Sequence, residues 1–212
     1  FESSEVTLGA RADSLYEYLL KQWLLSGQTD QRVRRMYDES VASIRTFLVR
    51  RGGPQRCRNC TWLASWNHKT RVHKDQMDHL ACFVPGMLAL GAHGATYAAD
   101  MQLARELMDT CHRMYADSPT GLAGEISEFS HPDKVRAASG AAHCLLRPET
   151  AESLFIMWRL TGDVIYREWG WKMFEALEAH TRVATGGFAP LSDVNNLRSI
   201  QPKGRMESFF TA

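Results

Sequence analysis

The sequence predicts an all-α domain made of helical pairs, with short β-hairpins in the loops that connect them. Apolar residues recur at helical spacing through most of the 212-residue chain. Glycine and proline mark the ends of such segments, as at Gly27 and in the run Gly52-Gly53-Pro54. With 44% hydrophobic residues the chain can build a sizeable core, and the lack of a short repeat at fixed spacing argues against a solenoid.

Six segments carry the helical pattern, and they are residues 13–25, 30–49, 77–90, 100–114, 148–160 and 163–181. The third is apolar on nearly all sides after His79, so we expect it to be buried. More buried helices then alternate with amphipathic ones, as in an inner and an outer ring. Residues 61–66, 121–129 and 187–191 are predicted to be extended, and residues 205–212 to open a further helix.

The charge balance and the chain ends limit what the protein can be. Lysine and arginine number 25 against 24 aspartates and glutamates, and this near-neutral balance argues against a nucleic-acid partner. No apolar run reaches the roughly 18 residues that a membrane-spanning helix needs. The chain starts at Phe1 without a leader and stops at Ala212 inside a helical pattern, so we expect it to be part of a larger folded unit.

Five cysteines and one glycosylation sequon favour an oxidising compartment of the secretory pathway. The sequon is Asn59-Cys60-Thr61, which makes Asn59 a candidate glycosylation site. A different interpretation is a zinc site, because Cys57 and Cys60 are followed by His68 and His73. The gap between the two pairs is shorter than in most zinc fingers, so zinc is the less favoured alternative. The sequence leaves the states of Cys57, Cys60 and Cys144 open.

Acidic residues stand at the starts of three predicted helices. Glu149 and Glu152 share one face of a first turn and follow Arg147. Asp13 opens the first helix, and Asp78 with His79 opens the apolar third helix. Ordinary helix capping explains each of them alone. Three such starts, each leading a buried helix, suggest carboxylates that converge on one pocket. Glycoside hydrolysis requires such a pair, with one acid for the leaving oxygen and one base for the water.

Four long motifs occur in the order found in the class I α-mannosidases, glycoside hydrolase family 47. They are residues 9–22 (GARADSLYEYLLKQ), 77–83 (MDHLACF), 146–153 (LRPETAES) and 206–210 (MESFF). The sequence resembles this family over nearly its whole length. The resemblance implies an (α/α)7 barrel, of which residues 1–212 would be a partial catalytic domain that lacks the N-terminal half and the C-terminal end of the barrel.

The resemblance also implies roles for individual residues. Glu149 matches the family's proposed general base, and Asp13 matches a carboxylate near the leaving group or the catalytic water. Substrate-binding positions of the family are matched by Arg147, Glu152, His79 and Phe209, the last being the aromatic residue on which the sugar stacks. The family inverts the configuration of the sugar, which requires two well-separated carboxylates.

The resemblance also implies calcium as the cofactor. The family's direct protein ligand is a threonine that would lie beyond Ala212, so in this chain Glu149 and Glu152 are at most outer-shell contributors. The family's proposed general acid is likewise expected outside these residues, so the isolated 212-residue chain is predicted to be inactive. Arg11 stands where the endoplasmic-reticulum type carries arginine, and it is a further predicted substrate contact.

Cys82 and Cys111 resemble the family's disulfide in position, with two buried free thiols as the alternative. The implied activity is removal of terminal α-1,2-linked mannose from high-mannose N-glycans, in the lumen of the endoplasmic reticulum or early Golgi. This location is compatible with a full-length protein that a separate N-terminal segment anchors in the membrane. A glycan-binding protein of the same fold with weak or no catalysis is the alternative, and a helical scaffold without a sugar site would leave the acidic helix starts unexplained.

Overall fold

The computed structural model describes residues 5–10, 13–199 and 204–211. Over these ranges the chain forms six α-helices, which are α1 (Asp13–Leu25), α2 (Gln31–Phe47), α3 (Val84–Gly91), α4 (Tyr97–Ala116), α5 (Glu149–Thr161) and α6 (Ile165–Thr181). Consecutive helices pack as pairs, α1 on α2, α3 on α4 and α5 on α6, and α3 also packs against α5. The predicted pairing of helices is confirmed.

The described residues include eight short strands, one before α1 and the others in the connections between the helices. They are β1 (Glu5–Val6), β2 (Val49–Arg51), β3 (Thr61–Leu63), β4 (Ser65–Asn67), β5 (Val72–Lys74), β6 (Gln76–Asp78), β7 (Ile126–Glu128) and β8 (Arg136–Ala137). They form three small antiparallel sheets, ordered β1-β4-β5, β2-β3 and β6-β7-β8. The expectation of short hairpins in the loops is therefore also confirmed.

Local signals set most helix ends where the sequence places them. The Asp30 carboxylate accepts the backbone N–H groups of Arg32 and Val33 at 3.0 and 3.2 Å, which caps α2. Gly162 ends α5 in the left-handed conformation, with φ at 71°. Gly27 does the same after α1, with φ at 65°.

The predicted helix at residues 77–90 is wrong in its first half. Met77 lies in β6, residues His79–Phe83 form a 3-10 helix, and α3 begins only at Val84 with Pro85 in its first turn. The reason is non-local, because β6 pairs with β7 and places Met77 opposite Ser127. The second half is buried as expected.

Two further expectations fail at the C-terminal side. Residues 187–191 form no strand, only isolated bridges between Arg182 and Phe188 and between Cys144 and Leu191. Residues Ser208–Phe210 form a single 3-10 turn instead of the opening of an amphipathic helix, and Ala212 lies outside the described residues.

Buried polar contacts join α5 to α3 and to the 3-10 helix that precedes α3. The backbone N–H of Gly86 donates to Ser153 Oγ at 3.0 Å, and the Ser153 hydroxyl donates to the Cys82 carbonyl at 2.5 Å. A side chain on Gly86 would crowd Ser153, so glycine lets the two helices approach. This contact fixes the start of α5, where the candidate site lies.

Among the helices of the described residues, none combines the length and apolar character that crossing a membrane requires.

Candidate active site

The first turn of α5 carries Glu149 at its first position, directly after Arg147-Pro148. Glu149 Oε2 is buried and has no hydrogen-bond partner among the described residues. Burial raises the pKa of this carboxyl above its ordinary value, helped by the nearby charges of Glu125 and Glu152 and opposed by a backbone hydrogen bond and by Arg147. A helix N-terminus favours the ionised form of a carboxyl, and here desolvation outweighs that effect.

Arg147 is held by a partner that the sequence analysis missed. Its Nε donates to Glu125 Oε2 at 2.6 Å, and the side chains of Arg147 and Glu125 are only 16% and 10% exposed. Glu125 Oε1 also accepts the backbone N–H of Leu145 at 3.2 Å. Glu125 therefore orients Arg147 from the segment between α4 and α5. The two residues are 22 positions apart and belong to no shared pattern, so only the folded chain reveals the pair.

Phe209 lies beside the same arginine. The Arg147 guanidinium carbon is 5.5 Å from the centre of the Phe209 ring, within the range of a cation–π contact. Phe209 is half-buried in the short turn Ser208–Phe210, and its neighbour Phe210 packs against Phe188 at 5.3 Å between ring centres. The structure thus brings the aromatic residue and the arginine predicted for one site together.

His79 lies beneath the start of α5. It is fully buried, with Nε2 at 2.7 Å from the Tyr115 hydroxyl and 3.4 Å from Thr150 Oγ1. Burial, together with the positive charge of Arg147, lowers the pKa of His79 to about 3, so the imidazole is neutral at physiological pH. Its Nδ1 is buried and has no hydrogen-bond partner among the described residues. Tyr115 and Thr150 were not anticipated as its neighbours.

The first helix reaches the site through Lys21. Its Nζ lies 3.6 Å from Glu152 Oε1 and also pairs with Glu17 on the same helix. Burial raises the pKa of the Glu152 carboxyl, to which the charge of Glu17 also contributes, while Lys21 opposes the shift. Part of the charge of Glu152 is therefore balanced by α1. Asp13 is half-buried as the first residue of that helix.

The segment before α1 lies against Asp78. A Cβ atom on Gly9 would be 1.5 Å from Asp78 Oδ2, so only glycine permits this approach. Burial raises the pKa of Asp78, and the charges of Arg147 and Glu125 also act on it. Asp78 thus lies within electrostatic reach of Arg147 and Glu125, near the start of α5. Arg11 lies outside the described residues.

The cysteines settle two of the alternatives. Cys82 and Cys111 form a disulfide, as the resemblance implies, and it links the turn after β6 to α4. Cys57 and Cys60 form a second disulfide, so they have no thiolates to offer a metal and the zinc alternative is wrong. Cys144 is a buried free thiol whose pKa is raised to about 11 by burial.

Comparison with known proteins agrees with this arrangement. The chain is 42% identical to the endoplasmic reticulum mannosyl-oligosaccharide 1,2-alpha-mannosidase of Homo sapiens, over 96% of this chain and 29% of that protein. It is 41% identical to a mannosyl-oligosaccharide 1,2-alpha-mannosidase of Arabidopsis thaliana, over 99% of this chain and 36% of the relative. The chain thus spans about a third of the length of these relatives.

The fold is also that of a solved relative. The α-1,2-mannosidase from Trichoderma reesei superposes with a TM-score of 0.85 at 24% identity, over 99% of this chain and 46% of that one. This superposition confirms the predicted fold class, a helical α/α barrel with short strands in its loops. The model of glycosyl hydrolase family 47 matches residues 1–212. On these grounds the chain is a member of glycosyl hydrolase family 47.

Proposed function

We propose that this chain forms part of an enzyme that hydrolyses terminal α-1,2-linked mannose from high-mannose N-glycans with inversion of configuration. The observation that carries the proposal is Glu149, a half-buried carboxylate with a raised pKa, whose buried Oε2 has no partner among the described residues, next to a positioned arginine. A glycan-binding protein without catalysis would have no need of such a carboxylate. The names of the relatives point to the same activity.

Glu149 is the proposed general base. A base is most efficient when its pKa lies near the working pH, and burial moves Glu149 in that direction. Its partnerless Oε2 can accept the proton of a water that attacks the anomeric carbon. Asp13 is the second proposed catalytic carboxylate, near the leaving group or the catalytic water, and the general acid is expected outside residues 1–212. Inversion requires the acid and the base to be roughly 6.5–9.5 Å apart, with room for the water between them.

The residues around Glu149 are proposed to hold the sugar. Phe209 offers an aromatic face, and the Arg147 guanidinium has further N–H groups for hydroxyl oxygens beyond the one bound to Glu125. Glu152 and His79 stay predicted contacts of the same mannose. Arg11, long and rich in donors, is proposed to bind sugars beyond the cleaved residue.

Calcium is the proposed cofactor. It prefers oxygen ligands, and the partnerless oxygen of Glu149 fits a carboxylate that faces a hydrated cation. Over residues 5–10, 13–199 and 204–211 there is no group of three metal-binding side chains, so Glu149 and Glu152 would act through water molecules. When bound, the ion would orient sugar hydroxyls.

The proposed compartment is the lumen of the endoplasmic reticulum or early Golgi. One relative is named for the endoplasmic reticulum, and the two disulfides fit an oxidising environment. An N-terminal membrane anchor in the full-length protein stays a prediction.

The test is the stereochemistry of the product. The full-length protein with calcium is incubated with a high-mannose glycan, and the anomer of the first released mannose is followed by NMR. β-Mannose is expected, because attack from the face opposite the leaving group inverts an α-linkage. Release of α-mannose, or no release, contradicts the proposal.

A further inference from the structure

The glycosylation sequon at residues 59–61 overlaps a tight loop that a disulfide closes. Cys57 and Cys60 are bonded, and Asn59 lies between them with φ at 61° and an exposed side chain. We name residues 57–60 the disulfide loop. The exposed amide of Asn59 leaves room for a glycan on the folded protein.

The third sequon residue is not accessible in the fold. Thr61 is 5% exposed, and its hydroxyl donates to Glu106 Oε2 at 3.2 Å. Its backbone N–H donates to Thr110 Oγ1 at 3.0 Å, and it pairs with Arg51 in the ladder between β2 and β3. An enzyme that glycosylates asparagine must read both the Asn amide and the hydroxyl two residues later. The folded protein offers only the first of these.

The disulfide loop is also fixed from outside. Arg113 Nη1 lies 3.1 Å from the sulfur of Cys57, from the sulfur of Cys60 and from the Arg58 carbonyl oxygen. Its Nη2 donates to the Asp133 carbonyl at 2.7 Å. When the disulfide loop is closed, the two sulfurs are buried against α4. The sequon then cannot enter the active site of the enzyme that glycosylates asparagine.

We propose that Asn59 is N-glycosylated, and that closure of the Cys57–Cys60 disulfide ends the period in which this can happen. The proposal rests on the secretory compartment of the proposed function. The two reactions compete for one segment, because Cys60 is the middle residue of the sequon and Thr61 docks when the loop closes. Chains that are glycosylated first keep the glycan on the exposed Asn59, and chains that close first stay unmodified.

Both steps use co-reactants of the secretory pathway. In glycosylation, the Asn59 amide nitrogen forms a bond to the anomeric carbon of a lipid-pyrophosphate-linked oligosaccharide, the lipid pyrophosphate leaves, and the amide loses one proton. In closure, the thiols of Cys57 and Cys60 lose two protons and two electrons to an oxidised dithiol oxidoreductase, whose own disulfide becomes two thiols.

The test measures the occupancy of Asn59 in the full-length protein made in secretory cells, by mass spectrometry of the released peptide. Cys57→Ser keeps the sequon and removes the competing disulfide. Chains grow at about 5–20 residues per second and disulfides form within seconds or more. Synthesis of the chain and closure of the disulfide therefore overlap in time. An even competition leaves about half of the wild-type chains glycosylated, so we expect the occupancy in Cys57→Ser to rise by about twofold over the wild type. A membrane-permeable reductant added during synthesis should raise the wild type to the same level and leave Cys57→Ser unchanged.

Two controls separate the causes. Cys144→Ser removes a thiol outside the disulfide loop and should leave the occupancy at the wild-type value. The folded, unglycosylated wild type should accept no glycan from a purified transferase and its lipid-linked donor until it is reduced and unfolded. Because the sequon is read before folding, misfolding of a variant does not mask the result.

Equal glycan occupancy of Asn59 in the wild type and Cys57→Ser contradicts the proposed competition. Absence of a glycan on Asn59 in both proteins contradicts the proposed glycosylation site. Neither outcome depends on catalysis. If the occupancies follow the expected pattern but no mannose is released, the proposed activity fails while this inference stands.

Discussion

Arg147 Nε donates to Glu125 Oε2 at 2.6 Å, and both side chains are largely shielded from solvent. The pair spans the gap between the β7 segment and the start of α5, next to the proposed base. Removing one partner of a buried ion pair leaves the other charge uncompensated, which costs about 3–5 kcal/mol in typical cases. The position of Arg147 therefore depends on Glu125.

Glu125→Gln is the first prediction. The neutral amide holds Arg147 less firmly, so the full-length enzyme should bind a mannose-like inhibitor more weakly and unfold more readily. Calorimetric titration and thermal unfolding measure the two effects. Glu128→Gln, three positions later on the same segment, is the matched control and should change neither by more than about 0.5 kcal/mol. Unchanged inhibitor affinity in Glu125→Gln contradicts the positioning role.

The second prediction concerns stability in acid. The pKa values of His79 and His112 are lowered to about 3 and about 4, in both cases chiefly by burial, so the unfolded chain binds their protons first as the pH falls. The free energy of unfolding keeps its full value above pH 6.5, the pKa of a histidine in the unfolded chain. Below that pH each histidine lowers it by up to about 1.4 kcal/mol per pH unit. The loss continues down to about pH 3 for His79 and about pH 4 for His112.

Urea unfolding between pH 7 and pH 4 measures this slope. His79→Gln and His112→Gln should each reduce the slope of the free energy of unfolding against pH by the contribution of one histidine. Slopes identical to the wild type in both variants would show that these histidines do not titrate on unfolding.

The third prediction compares the two disulfides. Cys82 and Cys111 are 29 positions apart, and in the loop-entropy model such a bridge contributes about 3.5 kcal/mol. Cys57 and Cys60 are three apart, and the same model gives about 2 kcal/mol. Replacing Cys82 and Cys111 by alanine should therefore lower the free energy of unfolding more than replacing Cys57 and Cys60. Denaturant titration decides, and the reverse order contradicts the loop-length argument.

The fourth prediction concerns the choice of glycan branch. Arg11 is proposed to donate several hydrogen bonds to sugars beyond the cleaved mannose. Arg11→Leu in the full-length enzyme should relax specificity and allow further mannoses to be removed from the same glycan. Glycan profiling over time measures the products. A product distribution unchanged from the wild type rules the role out.

The sequence predicts the helical fold well because its signals are local. Apolar spacing and the caps at Asp30 and Gly162 place α2 and α5 within a few residues of their observed bounds. One exception is Met77, which is apolar and precedes a buried helix but lies in a strand. Its pairing partner Ser127 is 50 positions away in the chain. No local pattern announces such a pairing.

The candidate site also contains residues that a local motif indicates and residues that only the fold reveals. Glu149 and Arg147 lie two positions apart in one motif, and the sequence alone singles out this motif and the aromatic residue Phe209 for the proposed site. Glu125 cannot, because its role exists only through its contact with Arg147 across the fold. The direction of the Glu149 pKa shift is also beyond sequence, since the helix N-terminus predicts one sign and burial imposes the other.

The central claim is that Glu149 activates the attacking water. The most direct measurement compares turnover and binding in Glu149→Gln of the full-length enzyme. Glutamine keeps the shape but cannot accept the proton, so kcat should fall by about 100-fold or more while a mannose-like inhibitor still binds with nearly wild-type affinity. Glu168→Gln, in the first turn of α6 and exposed, should behave as the wild type. Near-normal turnover by Glu149→Gln would contradict the account.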